Sequence, residues 1–541
     1  MSSPVKLLQR VRRRVQSVTY GSPIYKMMLD QGPVPERLRL TLNDPWPGDA
    51  LAGQALIASQ PGLFEQDFTP AKHRPIVAHD WLRDLRAVGT DSARRKALAL
   101  LEDWLAGQDA WDEESWAPDV LGERLANWVS FYDFYSPLAA PDFQERLIVS
   151  MVRQLRHLLR TIPVTLTGVA NLRAVKGLIY AGLSLIDSEK ALSLALDLLQ
   201  RQLEAEILPD GGHVSRCPAQ QLQVLRYLID IRAALRAVRL EVPHALQTAI
   251  ERMVPALKLC RHGDGGLALF HGGREDRTLW IDAAITLAET RGRVLRRLPQ
   301  AGYERVTAGR ALLLVDVAAP PPRPYDEDAH AGLLSFEFSV GRERLIVNCG
   351  AGPESSAEWR QAMAATAAHS TLTLADTNVC DVLPDGGLGH RPLLVTAERY
   401  EQDGVHFVEA KHDGYAGKFR VTHHRALSLS ADGEALHGRE ILSGPAGRAY
   451  TLRWHLHPGV QASLLQGGRA ALLRTASGSG WRLRIETDHR GSTDLGLESS
   501  VYCGGALPRR TLQLKVTGCT NADPTIVGWT LTREKKGTAP A

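Results

Sequence analysis

The hydrophobic period of this chain changes once, near Leu298, and that change limits the folds open to it. Upstream, apolar residues recur at the three-to-four spacing of amphipathic helices: Leu98, Leu100, Leu101, Trp104 and Leu105, then Leu147, Val152, Leu155, Leu158 and Leu159. A third helix, marked by Leu192, Leu194, Leu196, Leu198 and Leu199, carries enough apolar positions to be largely buried, and further helices are predicted near 219–236 and 243–258. Downstream, short β-rich runs replace them: Ala311 to Val315, Leu345 to Val347, Leu393 to Val395 and Val405 to Val408. Strict alternation follows in Leu427-Ser428-Leu429-Ser430, Trp481 to Ile485 and Leu512 to Val516, with turn signals at Asp432-Gly433 and Gln466-Gly467-Gly468. Side chains on a helix and on a strand obey different periods, so one segment cannot satisfy both. The prediction is a multidomain α and β protein: stacked antiparallel helix pairs followed by packed antiparallel sheets.

At 541 residues the chain is too long for a single core. The expected division is a lead-in segment over 1–65, punctuated by Pro33, Pro35, Pro45 and Pro47, a helical domain over 66–304 and a β-domain over 305–541. Pro320-Pro321-Pro322-Arg323-Pro324 reads as a stiff connector or loop. With 64 basic and 60 acidic residues the net charge is +4, so bulk nucleic-acid binding is not indicated, while a local basic surface for an anionic ligand stays open. Six widely spaced cysteines form no CxxC pair, which argues against a zinc ribbon, a redox dithiol or a dense disulfide framework. No apolar run reaches the roughly 18 residues of a spanning helix. The N-terminus is basic (Lys6, Arg10, Arg12, Arg13, Arg14) without the apolar stretch of an export signal. Val5, Leu8, Val11 and Val15 share one helical face there, a candidate for weak peripheral contact with anionic lipid or simply a solvated helix.

Several constellations carry chemistry. Asp210-Gly211-Gly212-His213-Val214-Ser215-Arg216-Cys217-Pro218 reads as a tight turn that displays His213, Ser215 and Arg216, with Arg216 able to clamp a carboxylate. The same turn could equally use His213 and Ser215 as helix caps. Asn171 is placed at a helix start, as an N-cap or as a donor into a cleft. A second Gly-rich turn, His262 to Gly266, reads chiefly as structural. In the β-half, His330 and His369 open strand-like blocks, and alternation puts His455 and His457 on one face, where two imidazoles could bind zinc. His412, His423, His424 and His437 read as packing residues.

Together these blocks resemble the heparinase II/III family of bacterial polysaccharide lyases. The resemblance spans roughly 75–535 and rests on Asn171 to Leu178, Asp210 to Pro218, His330 to Phe338, Ala368 to Leu372 and, more loosely, His412 to Tyr415. It implies an incomplete α/α toroid followed by an antiparallel β-sandwich with the active cleft between them. It also implies β-elimination at a uronic acid of an anionic polysaccharide: a polar residue neutralises the carboxylate, a base takes the adjacent ring proton and an acid, usually tyrosine, protonates the leaving oxygen. By position Asn171 corresponds to the neutralising residue, His330 to the first β-domain histidine and His369 to the second, with His213, Arg216 and Tyr415 as further catalytic candidates. His330, Asn348 and His369 approximate the positions that bind one zinc ion in part of the family. The resemblance implies the periplasm or cell envelope; the lack of an export signal leaves the cytoplasm as the alternative.

Two departures stand out. Gln220 occupies the position where the family carries its acidic tyrosine, so Tyr415, Tyr227 or His213 would have to replace it. Asn348 stands where a metal-binding aspartate is expected, and a neutral amide is the poorer zinc ligand. The leading expectation is a lyase of unassigned anionic polysaccharide. The alternative is a catalytically weakened glycan-binding protein in exopolysaccharide handling. A glycoside hydrolase would need two facing carboxyls, for which Asp210 and Asp264 are the helical-half candidates.

Overall fold

The computed structural model describes Gln16 and residues 18–534, apart from 61, 67–69, 108–109, 163–165, 186–187, 354–355, 487–494, 506 and 523. The basic N-terminal helix face expected around Val5 to Val15 lies outside the described residues. Two compact units form: residues up to Ala205 together with Val224–Ile250, and Glu206–Gln223 together with the chain from Glu251 onward.

The first unit is helical. Helix Pro141–Thr161 starts on a proline that costs no hydrogen bond at that position and buries Leu147, Ile148, Met151, Leu155 and Leu158 on one face. Helices Pro118–Ser130 and Gly168–Ser184 touch backbone to backbone, because a Cβ on Gly177 would lie 2.2 Å from the Gly122 Cα. Helix Ser188–Glu206 is less buried than its leucine content predicts: Ala191, Ala195 and Leu199 form its inner stripe, while Leu192, Leu194, Leu196 and Leu198 are only half-buried. The unit also encloses charge. Arg83 pairs with Asp44 at 2.6 Å, and Lys176 lies 3.0 Å from Asp230 and 3.5 Å from Glu123.

The second unit is built on seventeen strands among the described residues: β1 (Arg297–Leu298), β2 (Tyr303–Ala308), β3 (Ala311–Asp316), β4 (Phe336–Val340), β5 (Glu343–Val347), β6 (Leu372–Leu374), β7 (Val395–Gln402), β8 (Val405–His412), β9 (Thr422–Leu429), β10 (Ala435–Ser443), β11 (Ala449–Leu456), β12 (Gln461–Leu465), β13 (Ala470–Arg474), β14 (Gly480–Glu486), β15 (Gly496–Tyr502), β16 (Arg509–Cys519) and β17 (Thr525–Arg533). They form an antiparallel sheet ordered β1-β2-β3-β4-β5-β11-β16-β15, with β6 added beside β11, and a second antiparallel sheet ordered β12-β13-β14-β17-β10-β9-β8-β7. Strand β9 alternates buried and half-buried residues along its length, as a strand with one face on a core must. The inner faces meet in one core that includes Phe336, Phe338, Leu452, Trp454, Trp481 and Trp529. Trp529 stacks on Phe336 with centroids 5.6 Å apart and meets Trp454 edge-on at 5.5 Å.

Two expectations change here. The run Leu393-Leu394-Val395 enters its strand only at Val395, and Leu393 is 96% exposed. The proline-rich run is a loop between β3 and β4, within one sheet, and connects no domains. The segment before 304 is also divided differently from the expected boundary. Turn 206–217 and helix Thr278–Leu287 belong to the strand-bearing unit. Side-chain anchoring explains the turn: the Asp210 carboxylate accepts from the amides of Gln300 (2.7 Å) and Ala301 (3.0 Å).

Candidate active site

His330 lies in the loop before β4, and His369 follows the short 3-10 turn Thr366–Ala368 that leads into β6. The two segments are stitched together by the Ala331 amide donating to the Ala364 carbonyl at 2.8 Å and the Thr366 hydroxyl donating to the Ala331 carbonyl at 2.7 Å. Glycine at 332 lets the rings approach, since a Cβ there would sit 2.5 Å from the His369 Cδ2. His330 Nδ1 and His369 Nε2 are 3.1 Å apart. His369 Nδ1 lies 2.9 Å from the Ala365 carbonyl and must carry a proton to donate to it. Neutral His369 therefore presents an Nε2 lone pair, His330 donates Nδ1–H to it, and His330 Nε2 is left as an open lone pair. Among the described residues that Nε2 has no protein partner; the nearby Gly272, at φ +73°, places no side chain against it. Burial holds His330 well below the usual imidazole range, with His369 adding to the effect, and pushes His369 down to about 4. Both rings are neutral near pH 7, which leaves an unprotonated nitrogen at His330 Nε2.

A second layer fixes this pair. The His330 amide donates to His271 Nδ1 at 3.4 Å, His271 Nε2 faces the Asp316 carboxylate at 3.0 Å, and Arg216 holds the other oxygen of Asp316. The Arg216 guanidinium also donates to the carbonyls of Ala301 (2.7 Å), Gly302 (3.3 Å), Ala318 (3.2 Å) and Ala319, and the residue is buried at φ +56°. This corrects the expectation of a substrate clamp: every arm of the fork is committed to the protein. Neither His271 nor Asp316 stood out in the sequence. Their signals are slight, a histidine before the glycine pair Gly272-Gly273 and an acidic residue ending the apolar β3 run.

The rest of the turn is equally committed. His213 Nδ1 pairs with Ser215 Oγ at 2.7 Å and its Nε2 with Glu206 at 3.3 Å, while its amide donates to Gln221 at 2.6 Å. Both ring nitrogens are engaged and the residue is buried, so His213 acts as a turn brace in this structure. Gln220 donates to Asp328 at 3.1 Å, two residues from His330. Tyr415 is not a surface acid: its ring lies in the sandwich core, its hydroxyl donates to the Leu372 carbonyl at 2.9 Å, and burial raises its pKa. Asp210 serves backbone amides, and Asp264 is gripped by Arg344 at 2.7 Å, so neither is free for a hydrolase role.

The expected zinc ligands do not complete a set. Asn348 is fully buried, its amide nitrogen donating to Glu337 at 3.3 Å and its oxygen accepting from the Ser370 amide at 3.0 Å. That leaves two imidazole nitrogens already bonded to each other, and among the described residues no group of three His, Cys, Asp or Glu side chains could hold a metal. His455 and His457 also part company. His455 contacts the Ala367 carbonyl (2.9 Å) and Ser500 (2.8 Å), whereas His457 faces Glu275 at 3.8 Å.

In the helical unit Asn171 sits inside the first turn of helix Gly168–Ser184, past its N-cap Thr167, so it is not the cap. Its amide nitrogen donates to Gln202 at 2.9 Å, and Gln202 in turn donates to the Gly168 carbonyl at 2.7 Å. The Tyr227 hydroxyl accepts from Arg173 at 2.9 Å, and burial raises its pKa.

Residues 290–530 match the model "Heparinase II/III-like, C-terminal". Over 538 residues the chain is 30% identical to FtsZ-localized protein C of Caulobacter vibrioides, covering 92% of this chain and 90% of that protein. The chain belongs to the heparinase II/III-like family. Its fold is the family's helical toroid followed by a β-sandwich: it is similar to the crystal structure of heparinase III, with a TM-score of 0.74 at 12% identity over 95% of this chain and 90% of that one. Heparan sulfate lyase HepC of Pedobacter heparinus, in a mutant form, matches with a TM-score of 0.65 at 15% identity over 95% of this chain and 86% of that one. This heparinase II/III-like chain carries the His330–His369 pair, with Gln220 and Asn348 engaged by the protein as described.

Proposed function

We propose that this protein acts on a uronate-bearing polysaccharide by β-elimination with His330 as the base. The observation that carries this reading is the His330–His369–Ala365 hydrogen-bond chain, which forces the open lone pair onto His330 Nε2. In the proposed step His330 Nε2 removes the ring proton adjacent to the uronate carboxylate, the ring C=C bond forms and the glycosidic C–O bond breaks. With glutamine at 220, and Tyr415 and His213 engaged elsewhere, the protonated His330 itself returns the proton to the leaving oxygen. The Asp316–His271 pair and Arg216 position the loop that carries it. No step requires a metal, in keeping with the engaged amide of Asn348.

The test is ultraviolet absorbance of an unsaturated uronate product over a panel of alginate, heparan, hyaluronan and bacterial exopolysaccharides. Wild-type protein is expected to produce it on at least one polymer, and His330→Ala to lose about 10²-fold or more, the usual contribution of a positioned base. Absence of signal on every polymer, with binding retained, would instead establish the second reading: a glycan-binding protein without turnover. Gln220 favours that reading, since an amide cannot serve as the acid. The FtsZ-localized relative supports a place beside FtsZ for this chain too. A fluorescent fusion should then coincide with FtsZ in cells, unchanged by His369→Ala; a diffuse signal would remove that part. Among the described residues no helix is long and apolar enough to cross a membrane.

A further inference from the structure

A separate cavity of about 600 Å³ lies where the end of helix His244–Leu259, the turn His262 to Gly266, strand β2 and the β4–β5 turn meet. Its lining is strongly cationic, with Lys258, Arg261, Arg305 and Arg342 all facing it. One carboxylate lines it with them, Asp264, and it is held by Arg344 at 2.7 Å; Arg261 pairs with Asp282, outside the lining, at 2.7 Å. The other three cations have no carboxylate partner among the described residues. Lys258 donates to the Gly292 carbonyl at 2.9 Å, Arg305 to the carbonyls of Leu259 (2.7 Å) and Arg261 (2.8 Å), and Arg342 is exposed. Burial lowers the pKa of Arg305, the mark of a guanidinium short of a counter-charge. Helix Thr278–Leu287 adds to the same field. Thr278, its first residue, lines the cavity, and its first turn has neither a side-chain cap nor an acidic residue. The wall segment around Val294 carries two more exposed arginines, Arg291 and Arg293.

Three uncompensated cations around one space call for more than a single carboxylate. Arginine forks match tetrahedral oxyanions in particular. We propose that this cavity binds a phosphate or sulfate ester ligand, of the size of a nucleotide or a sulfated disaccharide. The site is distinct from the His330–His369 pair and does not depend on the lyase reading. One link between them exists: His262, which lines the cavity, donates to the Glu337 carboxylate at 2.8 Å, and Glu337 holds Asn348, whose oxygen receives the Ser370 amide beside His369.

The test is titration calorimetry of the full chain with inorganic pyrophosphate, with ATP and with a sulfated disaccharide, using a neutral disaccharide as control. Saturable, salt-weakened binding of pyrophosphate or ATP identifies a phosphate ligand; binding of the sulfated sugar identifies a sulfated glycan. In either case Lys258→Glu with Arg342→Glu should raise Kd at least ten-fold, and His330→Ala should leave it unchanged. The single variant Arg342→Glu, at an exposed position, serves if the pair fails to fold and should raise Kd several-fold. No saturable binding of any charged probe overturns the proposal, and so does equal affinity in wild type and variants.

Discussion

Lowering the pH from about 7.5 to about 5.5 should strip several kcal/mol from the β-sandwich unit without touching a carboxylate pair. The cause is a set of buried neutral histidines. Burial holds His330 and His412 well below the ordinary imidazole range, His369 near about 4 and His455 near about 3. In the unfolded chain each titrates near 6.5. The folded pKa is depressed, so below about 6.5 the unfolded state binds protons that the folded state refuses, and stability falls as pH falls. Each such histidine forfeits about 1.3 kcal/mol across this interval, and the four together about 5 kcal/mol. The paired carboxylates Glu440 and Glu275, both held near about 2, titrate lower and leave the interval to the imidazoles. Urea unfolding followed by tryptophan fluorescence suits the measurement, since Trp454, Trp481 and Trp529 all lie in the sandwich core. The urea midpoint of that transition should drop clearly at the lower pH, and His412→Gln should flatten the dependence in part. A midpoint that stays level, or rises, would show that these rings are not buried and neutral as described.

Arg216→Met should cost about 3–5 kcal/mol, because Asp316 and four carbonyls lose their donor inside the protein; thermal unfolding reads this, and Arg216→Lys should rescue little. Gly177→Ala should destabilise the helical unit by about 1–3 kcal/mol through forced separation of two touching backbones, seen as faster proteolysis of that unit. Asn348→Asp should lower stability rather than recruit zinc, since it removes a donor and sets a second carboxylate beside buried Glu337; metal analysis with a melting curve would distinguish the outcomes.

The period change at Leu298 made the two-part fold legible because backbone periodicity is local and needs no knowledge of partners. β1 begins at Arg297, and the alternating runs at Leu427, Trp481 and Leu512 all lie in strands. The histidine pair was legible as two blocks, since a histidine ahead of a strand is an unusual placement. What the sequence could not show is what a side chain meets across long separations. Arg216 looks like a surface clamp until carbonyls roughly 85 to 103 residues away are found to claim it. Tyr415, after Asp413-Gly414, resembles an exposed turn residue, yet its ring turns inward and its hydroxyl ties to Leu372 on β6. Asn348 was weighed as a ligand because its neighbour Glu337, eleven residues upstream on another strand, was invisible in the pattern.

The interleaving of the two units sets the order in which the chain can mature. The helical unit awaits residues 224–250, while the piece 206–223 must wait for a sheet whose last strand ends at Cys519. During synthesis the Arg216 turn therefore emerges with no acceptor yet made. A truncation at either face of this exchange leaves one unit missing an internal part, so fragments cut at the apparent helix–strand border should be poor folders even though each looks self-sufficient on paper.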